Sequence, residues 1–262
     1  MSSGYGPFSL EGKVIVVTGG TRRYGYYMCE GLAEAGATVL LTSRDRERAE
    51  EKARALRARG LSVHGCQLRL EADDSIGEFV GAAVRERGGI HVLVNSARSV
   101  PSMSAAEIDR AELDKLFTAN CTGTILLTRR VVEEMKKAGG GNIINIGSIY
   151  GIGGQDPGIY EEPEKNLSLD YSFQKGGMIA WTKQLATTLA SCGIRANCLS
   201  LGGLRETAVP DSVFYQRYCS RTPLGRLAEG EDVKGPVVFL ASDASRYVTG
   251  TNLVVDGGWT AW

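Results

Sequence analysis

Residues 13–25 read Lys13-Val-Ile-Val-Val-Thr18-Gly19-Gly-Thr-Arg-Arg-Tyr-Gly25. The β-branched run before Thr18 predicts a short strand buried on both faces. The glycine-rich turn leads into Tyr24, Tyr27, Met28 and Leu32 at helical spacing, and Gly36 marks the stop. Thr38-Val-Leu-Leu-Thr42 predicts a second strand. The rest of the chain repeats this alternation. Strands are predicted at 61–66, 90–95, 142–146, 195–200 and 252–256, and helices at 45–59, 74–87, 106–137, 171–191 and 233–240. The helix at 45–59 is densely charged, with a thin apolar stripe of Ala49, Ala53 and Leu56, so its outer face is solvated. Strands alternating with helices imply the α/β class and a doubly wound parallel sheet. No repeat or linker divides the chain, so a single domain over 1–262 is expected, with a loose N-terminal arm over 1–9.

Composition narrows the function classes. The 262 residues are 43% hydrophobic, enough for a substantial core. Lys+Arg and Asp+Glu balance at 30 each, which gives no footprint for nucleic acid or a membrane surface. No apolar run approaches the length that spans a bilayer. The start, Met-Ser-Ser-Gly-Tyr-Gly-Pro, lacks the basic-then-apolar pattern of a secretory signal. Six cysteines without a C-x-x-C pair and only two histidines, His64 and His91, argue against a metal site and for reduced thiols in the cytoplasm.

Polar chemistry collects where the predicted strands end. Gly19–Gly25 follows the first strand, Ser43-Arg44 the second, Asn95 the fourth and Ser148 the fifth. Ligands of doubly wound sheets sit outside these carboxyl ends, at the switch point. The glycine turn is then either a tight connection or the seat of a dinucleotide pyrophosphate on the N-terminus of helix 24–35. Further along, Tyr171 and Lys175 stand four residues apart, on one face of a helix. An ammonium there stabilises a phenolate, which suits a general acid or base. Alone, Tyr-x-x-x-Lys occurs by chance in many helices.

Taken together, Thr18-Gly-Gly-Thr-Arg-Arg-Tyr-Gly25, Asn95-Ser-Ala97, Asn120, Ser148, Tyr171-x-x-x-Lys175 and the closing Thr249-Gly-x-Asn252…Asp256-Gly-Gly258 stand in one order. This resembles the short-chain dehydrogenase/reductase family over essentially the whole chain. The resemblance implies a Rossmann fold, a homotetramer, and hydride transfer between a nicotinamide cofactor and a carbonyl or secondary alcohol. It assigns Asn120, Ser148, Tyr171 and Lys175 as the catalytic set. Tyr171 would be the acid or base, Ser148 would bond the substrate carbonyl, and Lys175 would stabilise the phenolate and hold the nicotinamide ribose. Asn120 would support a water-linked proton path. The cofactor would lie against Gly19, Thr21, Arg22, Arg23, Tyr24, Gly25, Ser43, Arg44, Asn95, Ala97 and Gly202, with Tyr171 and Lys175. A carboxylate after the second strand would accept from a ribose 2′-OH and repel a 2′-phosphate. Here Ser43 and Arg44 stand instead, with Arg22 nearby in the turn, and guanidinium forks phosphate well. NADP(H) is therefore expected over NAD(H).

Several positions depart from the family pattern. Arg23 replaces the middle glycine of the turn, Arg98 the glycine after Asn95-Ser-Ala97, Arg69 the adenine-side aspartate, and Leu201 the proline before Gly202. Either arginines rebuild the cofactor pocket, the reading we favour, or nucleotide binding is weakened. In the second case the fold would serve as a ligand-binding or regulatory protein, or as a non-redox acid–base enzyme. The stretch between Ser148 and Tyr171 is longer than the family's usual spacing, giving an inserted loop over 152–170 with Tyr160, two prolines and four acidic residues from Asp156 to Glu164. It is expected to wall the substrate pocket, and a polar, polyol-like substrate is suggested by similar loops in sugar-acid reductases. Segment 203–230 is expected as a substrate loop or lid, with Phe214, Tyr215 and Tyr218 lining or closing it. Trp259 and Trp262 are expected at a subunit interface.

Overall fold

The first strand, β1 (Val14–Val17), buries all four side chains because successive residues face two different helix layers. Residues 6–98, 109–205 and 212–262 are described in this computed structural model. The other strands are β2 (Thr38–Ser43), β3 (Val63–Gln67), β4 (Val92–Asn95), β5 (Gly141–Ser148), β6 (Ile194–Leu201) and β7 (Asn252–Val255). They form one parallel sheet in the order β3-β2-β1-β4-β5-β6-β7. The helices are α1 (Arg23–Glu34), α2 (Arg46–Arg57), α3 (Asp73–Arg87), α4 (Arg110–Phe117), α5 (Gly123–Lys137), α6 (Pro163–Asn166), α7 (Leu169–Leu189), α8 (Val213–Arg221) and α9 (Glu231–Ala241). Ile15 and Val17 join Met28 and Leu32 of α1 and Val237 of α9 on one face. Val16 joins Ile76 of α3 and Val131 of α5 on the other. Each such side chain contributes about 1.5–3 kcal/mol by leaving water. Between β1 and β4 the strand order reverses, which opens a crevice above their carboxyl ends.

The helix predicted over 106–137 is divided. Residues 106–108 lie outside those described; beyond them α4 and α5 are separated by a π-helical turn, Thr118–Thr122, which carries Asn120. The apolar period continues through this turn, so the sequence gives no sign of it. Directly after it, α5 presses on the loop following β3: a Cβ on Gly123 would stand 1.9 Å from the Leu70 carbonyl oxygen.

Segment 203–230, the least periodic in the second half, contains α8; its residues 206–211 lie outside those described. Ser212 caps α8 by accepting from the Tyr215 amide (3.2 Å). Its apolar side chains face a separate aromatic cluster and not the main core. Of the arm, residues 1–5 lie outside those described, while Gly6–Phe8 makes a 3₁₀ turn with the Phe8 ring 6.5 Å from Phe239.

Helices α1 and α9 meet around a charge cluster. Glu30 is buried and pairs with Arg59 and with Lys234 (3.1 Å); Lys234 also reaches Glu34 (3.3 Å) and Glu231 (2.9 Å). Burial opposes ionisation of Glu30. The hydrogen bonds and charges of Arg59 and Lys234 outweigh it and hold the carboxyl below its usual range.

Candidate active site

The crevice is built from β1 outward. Thr18 ends the strand and ties it to β4: its Oγ1 accepts from the Ser96 and Ala97 amides (2.9 Å each) and donates to the Val94 carbonyl (3.3 Å). Gly19 follows with φ +69, and a Cβ there would stand 2.8 Å from Ala97 Cα. Only glycine combines this conformation with this approach. At Gly25 a Cβ would lie 2.4 Å from the Gly19 carbonyl oxygen, so α1 begins directly against the turn. Arg22 is its N-cap and makes no side-chain capping bond. Among the described residues no capping side chain therefore bonds the positive end of the α1 dipole, an arrangement suited to a phosphate.

Arg23 has φ +48, the single non-glycine residue with positive φ among the described residues. The position where the family pattern has glycine keeps glycine's backbone conformation. Arg22, Arg23, Arg44 and Arg69 are all exposed, while Thr21 is buried. Ser43 Oγ accepts from the Asp45 amide (3.2 Å), and Asp45 caps α2. Tyr24 Oη donates to the Gly202 carbonyl (3.2 Å), joining α1 to the loop after β6. Burial, and then the nearby Tyr218, push the Tyr24 phenol well above its ordinary range, so it stays a neutral donor.

Asn95 is buried, and among the described residues its Oδ1 has no hydrogen-bond partner. Its Nδ2 donates to Asn145 Oδ1 (2.9 Å) and to Thr128 Oγ1 (3.0 Å), and Asn145 Nδ2 donates to Thr182 Oγ1 (2.9 Å). This buried chain joins α5, β4, β5 and α7. Ser96 and Ala97, which follow Asn95, are held at the crevice by Thr18.

The second wall comes from β5 and α7. Ser148 ends β5, is buried, and accepts from the Tyr150 amide (3.2 Å), leaving its own O–H to donate. The turn after it lies close on α7: a Cβ on Gly151 would stand 2.6 Å from the Lys175 carbonyl carbon. Lys175 Nζ donates to the Ile146 carbonyl (2.6 Å) and lies 5.8 Å from the Tyr171 ring centroid. Asn120 is buried in the π turn, and Thr124 Oγ1 donates to its carbonyl (3.0 Å). Its neighbour Cys121 has a thiol pushed up by burial and pulled the other way by Lys175, which brings this turn within electrostatic reach of the lysine.

Two contacts on Tyr171 escape a reading by position alone. The Arg98 guanidinium carbon lies 4.7 Å over the Tyr171 ring centroid, and Tyr150 meets that ring edge-on at 6.4 Å. Arg98 is visible in the sequence only as a departure from glycine. The signal for Tyr150 is its place two residues beyond Ser148. Trp259 stacks on Tyr218 at 4.3 Å, inside its own chain, whereas Trp262 is exposed.

The family model for enoyl-(acyl carrier protein) reductase matches residues 22–260. The chain is 33% identical over 252 residues to 3-oxoacyl-[acyl-carrier-protein] reductase of Aquifex aeolicus, covering 95% of this chain and 98% of that protein. It is 33% identical over 255 residues to dehydrogenase/reductase SDR family member 4 of Sus scrofa, covering 95% and 88%. The chain belongs to the short-chain dehydrogenase/reductase family. A gluconate 5-dehydrogenase from Burkholderia cenocepacia, solved with NADP and tartrate, superposes on this dehydrogenase/reductase chain with a TM-score of 0.87 at 29% identity, covering 98% of each chain. The seven-stranded Rossmann-type sheet is shared with it, and the chain is an oxidoreductase of a family that uses nicotinamide cofactors. The crevice fits such a group: its glycine cradle would be filled by a single Cβ, the α1 N-terminus lacks a side-chain cap, and exposed guanidinium groups stand beside it.

Proposed function

We propose that this chain is an NADP(H)-dependent carbonyl reductase or alcohol dehydrogenase in which Tyr171 is the general acid and base. One observation carries the reading: Lys175 lies beside the Tyr171 ring and bonds the Ile146 carbonyl of β5, and Tyr150 links that ring to Ser148 at the end of the same strand, on the carboxyl edge where α1 begins. When bound, a nicotinamide would supply or receive the hydride. In the reductive direction Ser148 donates to the substrate carbonyl oxygen. Tyr171 gives its proton to that oxygen as charge develops, and the phenolate left behind is stabilised by Lys175 and by Arg98 over its ring. Lys175 keeps two further N–H donors beyond its bond to Ile146, enough to hold ribose hydroxyls. Asn120 supports a water path to Lys175.

Preference for NADP(H) is supported by Ser43 and exposed Arg44 at the end of β2, where no carboxylate stands to repel a 2′-phosphate. A polar, hydroxylated substrate is supported by the polar inserted loop and by the NADP and tartrate bound to the related gluconate 5-dehydrogenase. Exposed Phe173 on α7 and Ile125 on α5 support self-association as a homotetramer. Six unpaired cysteines support a reducing, cytoplasmic setting.

The test is NADPH-dependent reduction of a panel of ketones and sugar derivatives by wild type and Tyr171→Phe. The variant is expected to keep its fold and lose turnover by about 10²–10⁴-fold. Equal turnover in both proteins would remove Tyr171 as the acid. A second reading, a cofactor-poor member of the fold, is favoured by Arg23 and Arg98 at positions where glycine is usual. Fluorescence titration decides between them: folded protein that binds neither NADPH nor NADH would favour the second.

A further inference from the structure

The loop inserted between Ser148 and Tyr171 is fastened to α8 at several points. Asp156 pairs with Arg221, and Arg217 Nη1 donates to the Gly158 and Tyr160 carbonyls (3.2 and 3.0 Å). The Tyr160 ring stacks on Phe214, with centroids 5.5 Å apart and planes at 24°. Gln155 closes the loop by accepting from the Ser168 amide (2.9 Å). These contacts carry the Tyr160 hydroxyl to 3.3 Å from that of Tyr150, the residue whose amide bonds Ser148 and whose ring meets Tyr171 edge-on.

The surroundings make this hydroxyl pair unusual. Tyr150 and Tyr160 are partly buried and pack with Phe214 and Trp259 against the buried side chains of Ile149, Ile159, Tyr218 and Leu227. Two phenylalanines would fill the same space with no hydroxyl to desolvate, so stability alone gives little reason for two phenols here. Burial pushes both phenols upward; Tyr160 adds to the effect at Tyr150, while the hydrogen bond from Tyr150 works against it at Tyr160, and both remain protonated, with the charge of a Tyr171 phenolate felt at both. With one hydrogen bond between them and the Gln155 side chain also on the Tyr160 oxygen, the two hydroxyls retain one O–H hydrogen to donate.

We propose that Tyr150 and Tyr160 are specificity-determining residues. Together they form a paired-phenol contact for a hydroxyl or oxo oxygen carried on the carbon next to the one oxidised or reduced. Tyr150 touches that oxygen, and Tyr160, delivered by the inserted loop, is a positioning residue that orients the Tyr150 hydroxyl. The favoured substrate class is thus α-hydroxy ketones and vicinal diols. The inference rests on the reductase reading above and narrows it.

The experiment compares acetoin with butan-2-one, which lacks the second oxygen, in wild type, Tyr160→Phe and the double variant Tyr150→Phe/Tyr160→Phe. Phenylalanine keeps the aromatic cluster filled, and circular dichroism checks the fold. Wild type is expected to prefer acetoin in kcat/KM with NADPH, and the double variant to lose about tenfold of that preference. Tyr160→Phe is expected to raise KM for acetoin more than it lowers kcat. Ligand-observed NMR on the same proteins measures binding of the two ketones without turnover. Preferential acetoin binding lost in the double variant, with no NADPH oxidation by wild type, would sink the reductase reading and keep the paired-phenol contact as a binding site. A double variant that discriminates the two ketones as wild type does, by turnover or by binding, would overturn the paired-phenol contact. So would a wild type with no preference.

Discussion

Replacing Arg23 tests whether the crevice holds stored backbone strain. At φ +48 an L-residue pays for its Cβ by about 1–2 kcal/mol relative to ordinary helical backbone. Glycine removes that cost but returns about 0.4–1 kcal/mol through the freedom it adds to the unfolded chain. At the midpoints of these ranges Arg23→Gly is more stable than Arg23→Ala by about 0.8 kcal/mol. For a chain of this size each kcal/mol moves Tm by about 2–4 °C, so a separation of roughly 2–3 °C is expected. Alanine is the proper comparison because both variants lose the guanidinium and only one keeps the Cβ. Thermal unfolding of the two, with urea titration as a second probe, reads the difference directly. If Arg23→Ala is as stable as Arg23→Gly, the strain argument is wrong. An NADPH titration of the same two proteins separates a phosphate contact from strain, since the contact is missing from both.

Two further outcomes follow from named contacts. Arg44→Ala is expected to lower the ratio of kcat/KM with NADPH to that with NADH by about 10–100-fold, the worth of a hydrogen bond to a charged group; an unchanged ratio would dissociate Arg44 from the 2′-phosphate. Lys234→Ala is expected to cost about 1–3 kcal/mol at pH 7, because Glu30 then keeps Arg59 as its remaining partner among those described. Since the folded Glu30 carboxyl lies below its unfolded value, its stabilisation is complete above the unfolded pKa and fades as pH falls through the folded one. Urea unfolding at pH 7 and at acid pH should therefore show the gap to wild type narrowing in acid; a constant gap would count against the linkage.

The sheet was legible because its strands are short apolar runs separated by helical patterns, and a residue's strand can be read from its neighbours. The elements that escaped depend on distant partners. The π turn that holds Asn120 sits in an uninterrupted apolar period, and the close approach of Gly123 to Leu70 involves a loop far away in sequence. Helix α8 packs on aromatic residues brought from the inserted loop and the C-terminal segment, so its own window shows little periodicity. At the site, the positions of Ser148, Tyr171 and Lys175 followed from strand ends and helical spacing. The guanidinium over Tyr171 did not, because it joins residues from distant segments, and the phenol pair did not, because the course of the inserted loop decides it.

The buried amide chain from Thr128 to Thr182 has a consequence for how the chain folds. Asn95 and Asn145 are register partners across β4 and β5, and their side chains bond on the same face. A slip of one residue would turn one amide to the opposite face and leave its partner buried without a bond, at about 1–3 kcal/mol. Parallel strands must find each other across long intervening chain, a slow search in which near-miss alignments compete. Thr128 and Thr182 extend the same requirement to the helices, so α5 and α7 dock in full only on correctly aligned strands. The amide pair thus adds to misaligned strands a penalty beyond the loss of their backbone ladder.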